Sequence, residues 1–237
     1  MANILNIDTT SRTCSVSLVQ NGETVMGLES KDAMDHSRVL APFVNECMEY
    51  TRKEGLRLDA VSAISGPGSY TGLRIGLSLA KGMAFGLDIP LITLSSLEVM
   101  AVGVMFSYRD WEGDETIVPM IDARRMEVFT AVYDSSLKII AAPQPMILTP
   151  ESFQSLQDCK KIIFAGDGAK KFEELYAGKN SVWMPHIMPH AKFMGILSEK
   201  FYRENKFADI AYSAPEYLKE YQTTVSKKKF NNNNDKV

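Results

Sequence analysis

The sequence predicts an α/β protein built from two similar halves, each around a mixed sheet. An antiparallel hairpin pattern opens the chain, strand and helix patterns then alternate as in a βαβαβ unit, and the pattern partly restarts after residue 115. The opening strand of each half ends on an aspartate, Asp8 in the first and Asp122 in the second. We therefore expect an approximate duplication, although no residue-level repeat is visible.

The first half starts with three strand patterns and a helix. "ILNIDTT", "TCSVSLVQ" and "ETVMGLES" are apolar or alternate with period two, and Asn21-Gly22 predicts a tight turn between the last two. Apolar residues then recur every three or four positions, which predicts a helix from about Ser37 to Lys53. Because Pro42 lies near its start, this helix begins later than the pattern suggests or is kinked.

The remaining patterns complete both halves. "AVSAIS" and "PLITLSS" predict strands on either side of a glycine loop and an apolar helix, and "LEVMAVGVMFSY" predicts a further helix. In the second half we expect strands in "TIVPMID", "EVFTAVYD" and "KIIAAPQPMIL", a helix around Pro150–Gln157, and a strand, glycine turn and helix in "KKIIFAGDGAKKFEELY". The expected domains are residues 1–108 and 109–225, the end of the second packing back on the first, followed by a disordered polar tail at 226–237.

Composition limits the function classes. The 237 residues carry 45% apolar and 23% charged side chains with a net charge of −3, so bulk electrostatic binding to nucleic acid is not expected. No apolar run reaches the length of a membrane span, and the N-terminus lacks the features of a signal peptide. Three cysteines without CxxC spacing favour reduced, partly buried thiols in a cytoplasmic protein.

The glycine loop "GPGSYTG", Gly66 to Gly72, begins like a phosphate-binding loop. A Walker A loop would place lysine after the last glycine, where this chain has Leu73-Arg74, and the spacing also fails the dinucleotide-binding fingerprint. What remains is a sharp turn, Ser69 or Thr71 as a helix N-cap, and free amides that could hold an anion.

The helix after this loop is apolar on two stripes. A helix on the outside of a sheet needs one apolar stripe, and each interior glycine costs about 1 kcal/mol against alanine. Either the helix is buried between two layers of its own chain, or one stripe packs on its own sheet and the other meets a partner; we favour the second. The first stripe is Leu73, Leu77, Ala80 and Ala84, and the second is Gly72, Ile75, Gly76, Leu79, Gly82, Met83 and Gly86.

Five motifs, in order along the chain, give a specific resemblance: "NIDTTSRTCSVSL", "DHSRVLAP", "GPGSYTGLRIGLSLAKGMA", "IDARRMEVF" and "PEYLK". They extend from Ile7 to Lys219, and together they resemble the TsaB (YeaZ) family, the smaller partner of the bacterial threonylcarbamoyl-adenosine synthase TsaD. The resemblance implies an actin/Hsp70/sugar-kinase-like (ASKHA) fold, with two related α/β subdomains flanking a cleft. It also implies that the first long helix and the glycine-loop helix bind TsaD. In the absence of TsaD, the same two helices are expected to bind a second copy of the chain and form a homodimer. The residues expected at this interface are His36, Ser37, Leu40, Phe43, Cys47, Gly72, Arg74, Ile75, Gly76, Leu79 and Met83.

The resemblance also bears on catalysis. Relatives that perform the chemistry carry His-Leu-Glu-Gly-His after the strand that follows the glycine-loop helix, and its two histidines bind the catalytic metal. This chain has Ser96 and Met100 at those two positions, and neither side chain is a comparable ligand. We therefore expect no metal site and no catalytic residue.

A degraded nucleotide site is a further expectation. Asp8, with Thr9 and Thr10, lies where the fold holds phosphate and Mg²⁺, and Asp122 takes the matching place in the second half. The alternative is that these residues only cap strand ends. We expect no tightly bound cofactor, and at most weak ATP or ADP (Mg) contact at the TsaD interface. The residues expected at this nucleotide or interface contact are Asp8, Thr9, Thr10, Gly68, Ser69, Asp122 and Arg124.

The leading functional hypothesis is a non-catalytic subunit that binds and activates TsaD. By resemblance, the complex also needs the ATPase TsaE, and it transfers threonylcarbamoyl to N6 of the adenosine next to the anticodon in tRNAs reading A-starting codons. The alternatives are an ASKHA-fold ATPase or kinase-like enzyme, or an M22-type glycoprotease-like metallopeptidase. Direct tRNA binding has poor support because the one basic cluster, Lys227–Lys229, lies in the tail. We expect tRNA contact only through the complex, and no membrane contact.

Overall fold

A computed structural model describes residues 2–31, 35–176 and 178–219, and these ranges form two five-stranded mixed sheets. In the first sheet β1 pairs antiparallel with β2 and parallel with β4, and the strand order is β3-β2-β1-β4-β5. The elements of this half are β1 (Asn3–Asp8), β2 (Cys14–Gln20), β3 (Glu23–Ser30), α1 (His36–Lys53), β4 (Ala60–Gly66), α2 (Tyr70–Leu87) and β5 (Leu91–Ser95).

The second sheet repeats the topology of the first. Its order is β10-β9-β6-β7-β8. As in the first sheet, the first three strands form an antiparallel meander, and the last two strands extend the sheet in parallel beside the first strand of that meander. Asp8 and Asp122 end the equivalent strands β1 and β6, and both the duplication and the ASKHA-like fold class are confirmed. The strands are β6 (Glu115–Asp122), β7 (Glu127–Asp134), β8 (Ile139–Ile147), β9 (Lys161–Ala165) and β10 (Ser181–Met184), and the helices are α3 (Ser96–Ser107), α4 (Ala169–Glu173) and α5 (Gly195–Arg203).

The helices form layers around the two sheets. α1 and α2 cover one face of the first sheet, and α3 lies between the sheets, with Val99 and Val102 packed on the first and Leu97 and Val104 on the second. This position explains why α3 is apolar on all sides. After β10 the chain returns to the first sheet, where the 3₁₀ turn Ala191–Phe193 and α5 pack on the face that α3 also covers.

The predicted elements of the first half are all present. Asn21 and Gly22 have φ of 55° and 85°, the left-handed conformation that a tight hairpin turn requires. α1 begins at His36 and continues through Pro42, so the late start predicted as one alternative does not occur. The three cysteines are unpaired, Cys14 and Cys47 in the core and Cys159 half-buried.

Three elements of the second half differ from expectation. The prediction of a helix around Pro150–Gln157 is wrong, because only a 3₁₀ turn forms there, at Gln154–Leu156. Phe153 adopts a left-handed φ of 60°, which interrupts a helix. The sequence patterns also missed β10 and α5. The tail at 226–237 lies outside the described residues, and within the described ranges no helix is long and apolar enough to cross a membrane.

Candidate functional site

The glycine loop is packed against the end of β1, and two of its amides, those of Ser69 and Gly72, donate hydrogen bonds within the chain. Ser69 caps α2 by accepting a hydrogen bond at Oγ from the Gly72 amide at 3.2 Å, and the Ser69 amide donates to the Thr10 carbonyl at 2.9 Å. A Cβ at Gly68 would lie 2.8 Å from the Thr10 Cβ, so the loop backbone packs closely on Thr10. The loop therefore holds the Thr9-Thr10 turn where a phosphate-binding loop would hold an anion.

Gly72 and Gly76, two of the residues expected to bind a partner, face inward. A Cβ at Gly72 would lie 1.9 Å from the Thr9 carbonyl oxygen, and one at Gly76 would lie 2.4 Å from Thr9 Oγ1. Both glycines are buried on the side of α2 that carries Leu77 and Ala80 toward the sheet. Their small size lets α2 approach β1 closely, so the alternative interpretation, packing within the chain, holds for these two.

Two α1 residues expected at the interface also lie in the core. Leu40 is 2% exposed and Cys47 is fully buried, both within the apolar cluster between α1 and the first sheet, so neither is available to a partner. His36 is buried as well, with Nε2 3.0 Å from the Ser11 carbonyl oxygen. The half-buried members of the predicted set, which pack at the edge of this cluster, are Phe43, Ile75, Leu79 and Met83; Ser37 and Arg74 are exposed.

The exposed side of α2 is a ridge, and only one of its members, Gly82, belongs to the stripe that the sequence assigned to a partner. It consists of Thr71, Ser78, Gly82 and Phe85, all exposed, and we call it the outer ridge. Phe85 is 79% exposed, and a Cβ at Gly82 would meet no atom within 4 Å. These four residues are uncharged, and the exposed charge nearest to them on α2 is Arg74, between Thr71 and Ser78. A helical projection could have found the ridge as the side opposite Leu73, Leu77 and Ala80.

Asp8 is buried at the end of β1. Its Oδ1 accepts hydrogen bonds from the Thr10 amide and hydroxyl at 2.9 and 2.7 Å, whereas Oδ2 has no partner among the described residues. Burial raises the pKa of this carboxyl, against the opposing effect of the two bonds from Thr10. Thr9 is occupied too, because its Oγ1 donates to the Gly72 carbonyl at 2.7 Å. A buried carboxyl that is hydrogen-bonded to Thr10 does not fit a hydrated Mg²⁺ with nucleotide.

Asp122 lies in a different environment. It is exposed, and its Oδ1 accepts from the Arg124 amide and from Lys171 Nζ, each at 2.5 Å. The turn that follows places Arg124 and Arg125 at positive φ, 71° and 50°, and both side chains are exposed. The two aspartates that match in topology are therefore not equivalent in chemistry.

A cavity of about 350 Å³ lies between the two halves. On one side it is lined by the glycine loop and the start of α2, including Gly68 and Tyr70, and on the other by Arg124, Arg125 and the start of β7. Its volume is that of a small-molecule site, and the arginines give it an anion-binding character. Of the predicted nucleotide-contact residues, the cavity brings together Gly68 and Arg124 only.

The two positions that carry histidines in catalytic relatives are occupied by structural side chains. Ser96 is buried and donates from Oγ to the Pro67 carbonyl at 2.5 Å, which ties the start of α3 to the glycine loop. Met100 is fully buried, and its Cε would lie 2.4 Å from a Cβ at Gly166. In the described part of the chain, no three or more histidine, cysteine or acidic side chains come together as a metal site would require.

Comparison with known proteins identifies the family. A model of the family described as "TsaD: tRNA N6-adenosine threonylcarbamoyltransferase" matches residues 30–236. The tRNA threonylcarbamoyladenosine biosynthesis protein TsaB of Escherichia coli is 29% identical, over 91% of this chain and 94% of that protein. The TsaB of Haemophilus influenzae is 35% identical over 53% of this chain, and this match spans about half of that protein, 51%.

A solved structure agrees with these matches. YeaZ from Pseudomonas aeruginosa superposes with a TM-score of 0.75 at 25% identity, covering 92% of this chain and all of that one. The likeness therefore extends over both halves and the cavity between them. The chain belongs to the TsaB (YeaZ) family, within the wider TsaD family whose model matches most of its length.

Proposed function

We propose that this chain is a non-catalytic subunit of the complex that makes N6-threonylcarbamoyladenosine in tRNA. It binds the threonylcarbamoyltransferase TsaD through the outer ridge of α2 and the neighbouring exposed side of α1, and it stabilises an active arrangement of TsaD. Its contribution is a population shift and adds no catalytic group. The ATPase TsaE completes the complex, and tRNA contacts this chain only indirectly, through the complex.

The observation that carries this proposal is the outer ridge itself. Small uncharged residues allow a partner helix to approach α2 closely, and the 79% exposed ring of Phe85 offers an apolar anchor. The exposed residues of α1 include Ala41 and Pro42, which are also uncharged. A helix pair with such a surface suits a helical bundle with a partner or, in isolation, with a second copy of the chain.

The assignment of a non-catalytic role is supported by Ser96 and Met100. Both side chains are fixed by contacts inside the chain, Ser96 to the Pro67 carbonyl and Met100 in the core between the sheets. A metallopeptidase or a metal-dependent transferase would need ligands at these positions. The weak ATP or ADP contact belongs, in this proposal, to the cavity with Arg124 and Arg125, because Asp8 is enclosed.

Sedimentation velocity of the purified chain, with and without TsaD, tests the binding face. Wild type is expected as a homodimer alone and as a heterodimer with TsaD, and Ser78→Arg is expected to lose both because the arginine projects from the outer ridge. Ser155→Arg makes the same change at an exposed serine beside the second sheet and should leave both associations intact. Retention of both associations by Ser78→Arg contradicts the proposed face.

A further inference from the structure

The last described residues cross from the first half of the molecule to the second. We call residues 214–219 the strap. The segment leading to it is fixed along one flank of α2, where Lys81 Nζ donates to the carbonyls of Ala211 and Ser213 at 3.3 and 2.8 Å. The opposite flank of α2 packs toward α1 through Ile75 and Leu79. The outer ridge therefore lies between α1 and the segment that ends in the strap.

The strap is joined to the first half by its backbone. The Glu216 amide donates to the Ser65 carbonyl at 2.7 Å, at the end of β4. Gly66 makes this approach possible, because a Cβ there would lie 2.4 Å from the Glu216 carbonyl oxygen. The Glu216 amide is consequently a local reporter of whether the strap is in place.

Side chains from α2 hold the same segment. The ring of Tyr217 stacks on that of Tyr70, with centroids 4.6 Å apart and planes inclined by 27°. Arg74 bonds both: Nε donates to the Tyr217 hydroxyl at 2.9 Å, and the guanidinium lies 4.1 Å from the centroid of the Tyr70 ring. Arg74 is exposed on α2, next to Thr71 and Ser78 of the outer ridge.

The far end of the strap reaches the second half. Lys219 forms an ion pair with Glu127 at the start of β7, and the Glu127 side chain is only 18% exposed. Residues 216–219 form one wall of the cavity that also contains Arg124 and Arg125. Access to the cavity from this side therefore depends on the position of the strap.

We propose that the strap is a latch, which joins α2 to the second sheet and closes one side of the cavity. The latch is released when an acidic group of a partner forms an ion pair with Arg74. A carboxylate bonds a guanidinium more strongly than a tyrosine hydroxyl does, so such a contact would withdraw Arg74 from Tyr217. The release step rests on the proposed function, since it needs a partner on α2, whereas the latch is a property of the isolated chain.

Hydrogen exchange of the Glu216 amide tests the latch without a partner. Tyr217→Ala removes the stacked ring and the bond from Arg74, and exchange is expected to become about tenfold faster. Tyr212→Ala is the matched control, because Tyr212 belongs to the same segment and is 87% exposed. Unchanged exchange in Tyr217→Ala, or equal acceleration in both variants, overturns the latch.

A charge exchange tests the contact with the second half. Lys219→Glu and Glu127→Lys should each accelerate exchange at Glu216, and the double variant should restore the wild-type rate because it rebuilds the ion pair in reverse. Failure of the double variant to restore the rate shows that this pair does not hold the strap. The test uses the isolated chain and is independent of any partner.

Binding of TsaD tests the release step. Exchange at Glu216 is expected to accelerate when TsaD is bound. If sedimentation shows the complex and the exchange rate is unchanged, the coupling through Arg74 is wrong while the proposed function stands. If no complex forms, the proposed function and the release step both fail, and the isolated-chain variants alone decide the latch.

Discussion

The glycines of α2 provide a prediction with an internal control, because the same substitution meets opposite surroundings along one helix. In Gly72→Ala the new methyl group would lie 1.9 Å from the Thr9 carbonyl oxygen, so strand and helix must separate by more than 1 Å. Thr9 cannot yield easily, because it is 2% exposed and bonds the Gly72 carbonyl from Oγ1. In Gly82→Ala the methyl group meets nothing within 4 Å.

The magnitudes follow from these surroundings. Overpacking costs about 1–3 kcal/mol, and a contact of 1.9 Å with a backbone oxygen belongs at the upper end of that range. Replacing glycine by alanine in a helix gains about 1 kcal/mol, so Gly72→Ala should lose about 2 kcal/mol of stability. For a chain of this length that lowers Tm by about 4–8 °C, whereas Gly82→Ala should raise Tm by about 2–4 °C. Thermal unfolding followed by circular dichroism measures both. Equal stability of Gly72→Ala and wild type, or destabilisation by Gly82→Ala, refutes the packing derived for α2.

Two further predictions concern buried titratable groups. Burial raises the folded-state pKa of Asp8 above its ordinary value, so the wild type loses stability as pH rises through that pKa. Asp8→Asn should therefore melt at a higher temperature than wild type at pH 8, and this difference should shrink as pH falls toward the ordinary carboxyl range. No difference at pH 8 contradicts the buried charge. Burial also raises the thiol pKa of Cys14 to about 12 and of Cys47 to about 11, so a thiol reagent should titrate Cys159 alone in the native chain and all three cysteines after unfolding. Rapid reaction of more than one native thiol counts against this packing.

The sequence predicts the architecture well because local patterns carry it. Alternation, the Asn21-Gly22 turn and the apolar periodicity of α1 and α2 each specify a local structure, and the repeat of a strand ending in aspartate anticipates the repeated topology. The missed elements have weak local signals. β10 is only four residues long and is followed by two prolines, and α5 begins on Gly195, which packs against the Gly22 carbonyl.

The candidate site is less predictable, because it depends on which neighbour each helix face meets. A helical projection groups Gly72 and Gly76 with Ile75 and Leu79, yet it does not show that Thr9 comes from β1 to fill the space above the two glycines. The same limit applies to Asp8, whose position at a strand end is evident in the sequence, whereas its burial is a tertiary effect. Substitution of Gly76 would consequently test folding, and Ser78 is the residue that tests binding.

Activation of TsaD through the outer ridge is tested most directly by the formation of N6-threonylcarbamoyladenosine by TsaD and TsaE in the presence of wild-type chain, Ser78→Arg or Asp8→Asn. We predict that Asp8→Asn supports the reaction as wild type does, because Asp8 is a buried structural group. We predict that Ser78→Arg does not support it, because this variant cannot bind TsaD. Full support by Ser78→Arg together with loss of activity in Asp8→Asn would contradict both predictions, and would place the function of this chain in its own cleft.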